Sequence, residues 1–90
     1  MAKKTVSLDA MQATIVRNIL FEGPIWGDEK AQWRQRRLQD AVGLEPGPVE
    51  LVTTSRDRAM MVQALQSPQA MGALKGRALG IVWETKEAFG

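Results

Sequence analysis

From Pro48 to Thr54 β-branched and apolar residues alternate along the chain, and at Ser55 that period of two gives way to a helical one. Val49, Leu51 and Thr53 share one face of residues 48–54, and Glu50, Val52 and Thr54 share the other. After Ser55-Arg-Asp-Arg, the residues Ala59, Met60, Met61, Ala64 and Leu65 continue a helical run. A chain holding both periods side by side must build a strand and a helix, and a small domain buries both as two packed layers. Ser67 and Pro68 read as the cap and first position of a restarted helix, which Lys75 and Gly76 close. Residues 80–85, Gly-Ile-Val-Trp-Glu-Thr, read as a second strand. The second half is therefore expected to run strand, helix, strand.

Upstream, residues 28–42 carry the most regular helical pattern. Asp28 and Glu29 stand at its start, arginines fill its body, and Gly43 lies just past its end. Residues 23–27 and 44–48, rich in glycine and proline, are loops. Residues 8–21 admit two readings. As a helix, Ser7 caps it, Asp9 sits in the first turn, and Leu8, Met11, Ile15 and Ile19 share a face. As a strand, residues 14–21 have the β-branched and aromatic content, but adjacent Arg17 and Asn18 spoil the alternation; periodicity favours the helix. Residues 4–8 suit a short edge strand or a frayed tail, and residues 6–20 loosely echo 49–65 if a gap is allowed.

The expected fold class is α+β: one small two-layer domain over residues 1–90, with helices 28–42 and 55–75 on a short sheet. A strand at 8–21 would bring it towards a ferredoxin-like fold; a helix there would make it mostly α-helical. Leu38, Leu51, Leu65 and Ile81 are the expected core.

Composition narrows the chemistry. The chain has no cysteine, hence no disulfide framework and no thiolate site, which fits a reducing cytoplasm. It has no histidine, which removes the usual general base and the commonest metal ligand together. No metal site, cofactor or catalytic residue is therefore expected, and an enzyme is the less favoured class. No apolar run approaches the ~20 residues of a membrane span, and nothing after Lys3-Lys4 resembles a secretory leader, so no membrane partner is expected. A net charge of +2 argues only weakly for a polyanionic partner.

The helix at 28–42 carries the feature that stands out. At 100° per residue, Ala31, Gln35, Leu38 and Val42 gather on the side that must face the core, with Trp33, Arg36, Arg37 and Asp40 roughly opposite. Trp33 is four residues from Arg37 and can stack on its guanidinium. Trp33, Arg36 and Arg37 are thus a candidate partner surface, unless Trp33 packs under a loop such as 23–27. Replacing Trp33 by Ala and Arg37 by Glu is expected to spare stability and weaken association. With Arg34 the same residues would also suit phosphate contact and base stacking, although Asp28, Glu29 and Asp40 on the same helix oppose nucleic acid. Trp26 and Trp83 are candidates for lining a pocket.

Glu45-Pro-Gly47 before a strand, followed by residues 55–74 with Leu65-Gln-Ser-Pro68 inside the helix, resembles the second half of ferredoxin-like dimeric α/β-barrel domains. The antibiotic-biosynthesis monooxygenase group is an example, in which a helix-borne Ser-Pro precedes the last strand. The resemblance covers about half the chain. It implies homodimerisation through sheets and, in some members, a pocket for cofactor-free oxidation, and it carries no catalytic residue onto this chain. Two strands lie between the helices in that group, whereas only residues 48–54 do so here. The expected function is a non-enzymatic interaction module, homo-oligomeric or bound to another protein. A small-ligand or cofactor-free enzyme domain is the second expectation, and nucleic-acid binding the third.

Overall fold

The computed structural model describes residues 3–23, 25–66 and 77–90. Among these the order is β1 (Lys4–Leu8), α1 (Ala10–Glu22), α2 (Glu29–Val42), β2 (Val49–Thr53), α3 (Ser55–Leu65) and α4 (Arg77–Phe89). The helices cover a two-stranded antiparallel sheet, an α+β arrangement in which helix predominates. No helix among the described residues is long and apolar enough to cross a membrane.

The alternation at 48–54 does what its period requires. Leu51 and Thr53 of β2 are buried and Val49 is half-buried, while Glu50 and Val52 face outward. Its partner β1 follows the edge-strand reading of residues 4–8, not the frayed tail, and buries Val6 and Leu8 on the same side. The register sets Val6 opposite Leu51, Lys4 opposite Thr53 and Leu8 opposite Val49. The Thr53 hydroxyl, fully buried, donates to the Lys4 carbonyl at 2.8 Å and so satisfies itself within the pair.

Residues 8–21 follow the helical reading, with a later start. Asp9, not Ser7, is the N-cap: its carboxylate accepts from the Gln12 N–H at 2.8 Å, and the Gln12 side chain accepts from the Asp9 N–H at 3.0 Å. Ser7 and Leu8 belong to β1, so the proposed Leu8–Met11–Ile15–Ile19 face does not form. Met11 is exposed, and Ala13, Ile15, Val16, Ile19 and Leu20 are buried.

α2 matches its expected limits, with Asp28 as N-cap and Gly43 ending it at φ 66°, a left-handed conformation open to glycine at little cost. Arg17 of α1 holds the following loop by donating to the carbonyls of Gly43 at 3.1 Å and Gly47 at 3.4 Å. Leu38 and Val42 are buried and Ala31 is half-buried on the predicted face. Gln35 is buried there too, donating to the Leu20 carbonyl at 3.1 Å and accepting from the Trp26 N–H at 2.9 Å. It ties the end of α1 to the loop and seats Trp26 in the core, at 5% exposure.

Residues 80–85 are a correction: they belong to α4. Val82, Thr85 and Phe89 are buried at helical spacing, and the Thr85 hydroxyl donates to the Ile81 carbonyl one turn back at 2.7 Å. Ile81, expected in the core, is only half-buried, whereas Leu38, Leu51 and Leu65 are fully enclosed. The helix expected to restart at Ser67–Pro68 lies outside the described residues.

The loose echo between 6–20 and 49–65 has a structural counterpart. Leu8–Asp9–Ala10 and Thr53–Thr54–Ser55 each pass from strand end through N-cap to helix start, and both caps are reciprocal capping boxes. Among the described residues each strand–helix unit is followed by a second helix, which packs on the strand of the other unit: α2 on β2, and α4 on β1. The two β–α–α units of the described residues join through this antiparallel pair, in which Val6, the middle residue of β1, lies opposite Leu51, the middle residue of β2.

Candidate functional site

The outward side of α2 is organised by a residue on another helix. Asp57, third in α3, is fully buried and closes the α3 capping box: its N–H donates to Thr54 Oγ1 at 3.2 Å, and its carboxylate accepts from the Thr54 N–H at 2.9 Å. Two arginines of α2 converge on it. Arg34 Nη1 donates to Asp57 Oδ1 and to Thr54 Oγ1, both at 3.3 Å, and Arg37 Nη2 donates to Asp57 Oδ2. Burial alone would raise the Asp57 carboxyl. The Thr54 N–H, the hydrogen bond and charge of Arg37, and the Arg34 hydrogen bond outweigh it and hold the carboxyl below its ordinary range. Two guanidiniums share one carboxylate, so the cluster keeps a net positive charge.

Arg37 also lies over Trp33, its guanidinium carbon 5.6 Å from the ring centroid. Held by the ring on one side and by Asp57 at its tip, Arg37 keeps Nε buried without a hydrogen-bond partner, the one such side-chain atom among the described residues. Trp33 itself is 64% exposed, as the wheel predicts, and does not pack beneath the 23–27 loop. Arg36 is exposed and makes no hydrogen bond or ion pair among the described residues. The predicted trio is thus brought together as one surface with unequal parts: Trp33 and Arg36 face solvent, and Arg37 is anchored inward. For the nucleic-acid expectation this matters, because Arg34 and Arg37 are already engaged, as is Arg58, which donates to the Thr53 carbonyl and hydroxyl at 3.2 Å.

The two tryptophans offered as pocket residues have different fates. Trp26 is in the core. Trp83 is 58% exposed on α4, with Lys86 Nζ 4.3 Å from its ring centroid. With Leu65, Gln66, Val82 and Lys86 it lines a shallow groove of about 110 Å³, in which Trp26 takes no part. A drug-sized ligand needs a pocket of roughly 300–1,000 Å³. Among the described residues no three acidic side chains gather closely enough to hold a metal ion.

Sequence reasoning missed Asp57. A signal was present, because Thr54-x-x-Asp57 is a capping-box pattern, a threonine three residues before a carboxylate at a helix start. That Arg34 and Arg37 would reach it depends on how α2 lies against β2 and α3, and no local pattern carries that. Compared with protein-family models, curated proteins and solved structures, the chain matches none.

Proposed function

We propose that this chain is a non-enzymatic interaction module that associates with itself through the Trp33–Arg36–Arg37 face of α2. The observation that carries the reading is a large aromatic ring left 64% in water with a neighbouring arginine, fixed on buried Asp57, lying over it. Leaving a tryptophan ring in water forgoes about 1.5–3 kcal/mol or more of burial, so a partner that covers it gains that energy. Anchoring Arg37 in advance lowers the entropy lost on binding. Tryptophan and arginine are also the side chains that most often dominate interface energetics. The two-stranded sheet adds a second argument: each strand is paired on one side only among the described residues, which leaves backbone groups for another chain.

The test is Trp33→Ala. Its melting temperature should stay within about 2 °C of the parent, as for an exposed residue. Self-association, read by sedimentation velocity at micromolar concentration, should weaken by about 2 kcal/mol or more. A parent chain that stays monomeric throughout that range refutes the reading, and so does a Trp33→Ala variant that unfolds. Arg37→Glu no longer suits this test, because it sets a carboxylate against buried Asp57 and would cost stability directly.

A further inference from the structure

Among the described helices, α1 alone exposes no charged side chain before its last residue. From residue 10 to residue 21 its exposed residues are Ala10, Met11, Thr14, Asn18 and Phe21. Arg17, its one cation, is half-buried and engaged with the Gly43 and Gly47 carbonyls, and Glu22 stands at the last position. The other described helices each set charge outward, with Lys30 and Arg36 on α2, Arg56 on α3 and Glu84 on α4. Met11, Thr14, Asn18 and Phe21 follow at intervals of three and four, the spacing of one helix face. The large side chains stand at the two ends of this stripe, Met11 60% and Phe21 44% exposed. Between them lie two short polar residues without charge, and the Thr14 hydroxyl donates to the Ala10 carbonyl at 2.9 Å. The stripe is symmetric about residue 16, the middle of α1: Met11 lies five residues before it and Phe21 five after, Thr14 two before and Asn18 two after.

We propose that the occupant of this stripe is the same stripe of a second copy, the two α1 helices packing antiparallel about a two-fold axis at residue 16. Reversing one helix brings Met11 level with Phe21 of the other copy at both ends, and Thr14 level with Asn18 on both sides of the middle. A methionine sulfur gains from contact with an aromatic ring, and a hydroxyl and an amide satisfy each other. With no exposed charge along the stripe, nothing in it selects an acidic or a basic partner, whereas its own order matches it to itself. Parallel pairing would set Glu22 against Glu22 and align the two helix dipoles. In the antiparallel pair Glu22 comes level with Ala10 of the other copy, at a rim beside exposed Asp9 where water and salt screen the two acids. This contact is separate from the Trp33 face, which belongs to α2, and does not depend on it.

Charge exchange across the stripe tests the pairing. Met11→Lys and Phe21→Glu each set a charge against an apolar side chain, so either variant alone should dimerise at least about tenfold more weakly than the parent in sedimentation velocity. A contact one helix wide falls at the small end of specific interfaces, below about 1,200 Å², so the measurements run from about 10 μM to 1 mM. Mixed in equal amounts, the two variants should form a heterodimer more readily than either pairs with itself. One end then opposes the introduced lysine to the introduced glutamate, and the other keeps Met11 beside Phe21. A mixture no better associated than its components overturns the antiparallel pairing, as does either variant that associates like the parent. In a Trp33→Ala background, which removes the other proposed contact, the α1 dimer should remain and respond in the same way. A monomer in that background overturns this inference and leaves the Trp33 reading standing. The reverse holds if Trp33→Ala associates like the parent and loses its association on Met11→Lys. A parent that stays monomeric to about 1 mM removes both. Far-UV circular dichroism confirms that each variant folds; should Phe21→Glu not fold, Thr14→Lys and Asn18→Glu, both at exposed positions, replace the pair under the same expectations.

Discussion

Asp57 joins three parts of this molecule through one buried carboxylate. It completes the α3 cap and receives two arginines from α2, one of which, Arg37, also lies over the Trp33 ring. Removing one partner of a buried ion pair costs about 3–5 kcal/mol, and losing a cap costs about 0.5–2 kcal/mol. Arg34 and Arg37 keep part of their side chains in water, which reduces the first figure. Asp57→Ala should therefore destabilise by about 2–4 kcal/mol in urea unfolding; a loss below about 1 kcal/mol would mean that the arginines do not depend on it. The pH dependence follows from the direction of its shift. A carboxyl whose native pKa is lowered contributes stability that is fully present above its unfolded value and lost as the pH falls through the native one. Melting temperature should thus fall on acidification below about pH 4, and Asp57→Asn should lose the part of that fall which Asp57 supplies.

At the scale of the element, α4 is the most instructive case. Its stretch of residues 80–85 holds isoleucine, valine, tryptophan and threonine, whose intrinsic preference is for strands. As a helix it places Val82, Thr85 and Phe89 together on one side and against α1, α3 and β1. Gly80 then sits inside a helix with its Cβ position open, so Gly80→Ala should stabilise by about 0.5–1 kcal/mol. Chemical denaturation checks this, and a destabilised variant would argue against helical geometry at that residue. In α3 the phase of the helix is tested by Leu65, which is fully buried. Leu65→Ala should cost about 2–5 kcal/mol, the range for a leucine truncated in a core.

For the molecule as a whole, the two β–α–α units explain why so little strand suffices. A two-stranded pair alone is marginal in water. Here the apolar side of the pair is closed by helices from both units, each unit lending its second helix to the other's strand. The same exchange leaves one exposed tryptophan on the second helix of each unit, Trp33 on α2 and Trp83 on α4. The consequence to measure is assembly: light scattering at micromolar concentration should report a mass above that of one chain. A mass that stays at one chain throughout that range would refute it.

The features legible in the residues alone were those carried by local pattern. The change of period at Thr54–Ser55 located β2 and the start of α3, because a period of two and one of 3.6 cannot share a stretch of chain. Asp28, Gly43 and the spacing of Ala31, Leu38 and Val42 located α2 and its buried side, and that in turn left Trp33 and Arg36 in water. Tertiary structure decided the rest. Residues 4–8 are a strand because residues 49–53 lie alongside them. Residues 80–85 are helical because burying Val82, Thr85 and Phe89 outweighs β preferences that span only about 1 kcal/mol per residue. Arg34 and Arg37 meet Asp57 across 23 and 20 residues of chain. Contacts between residues so far apart in the chain form only once helices have packed, and their energies belong to the packing, not to any segment read by itself.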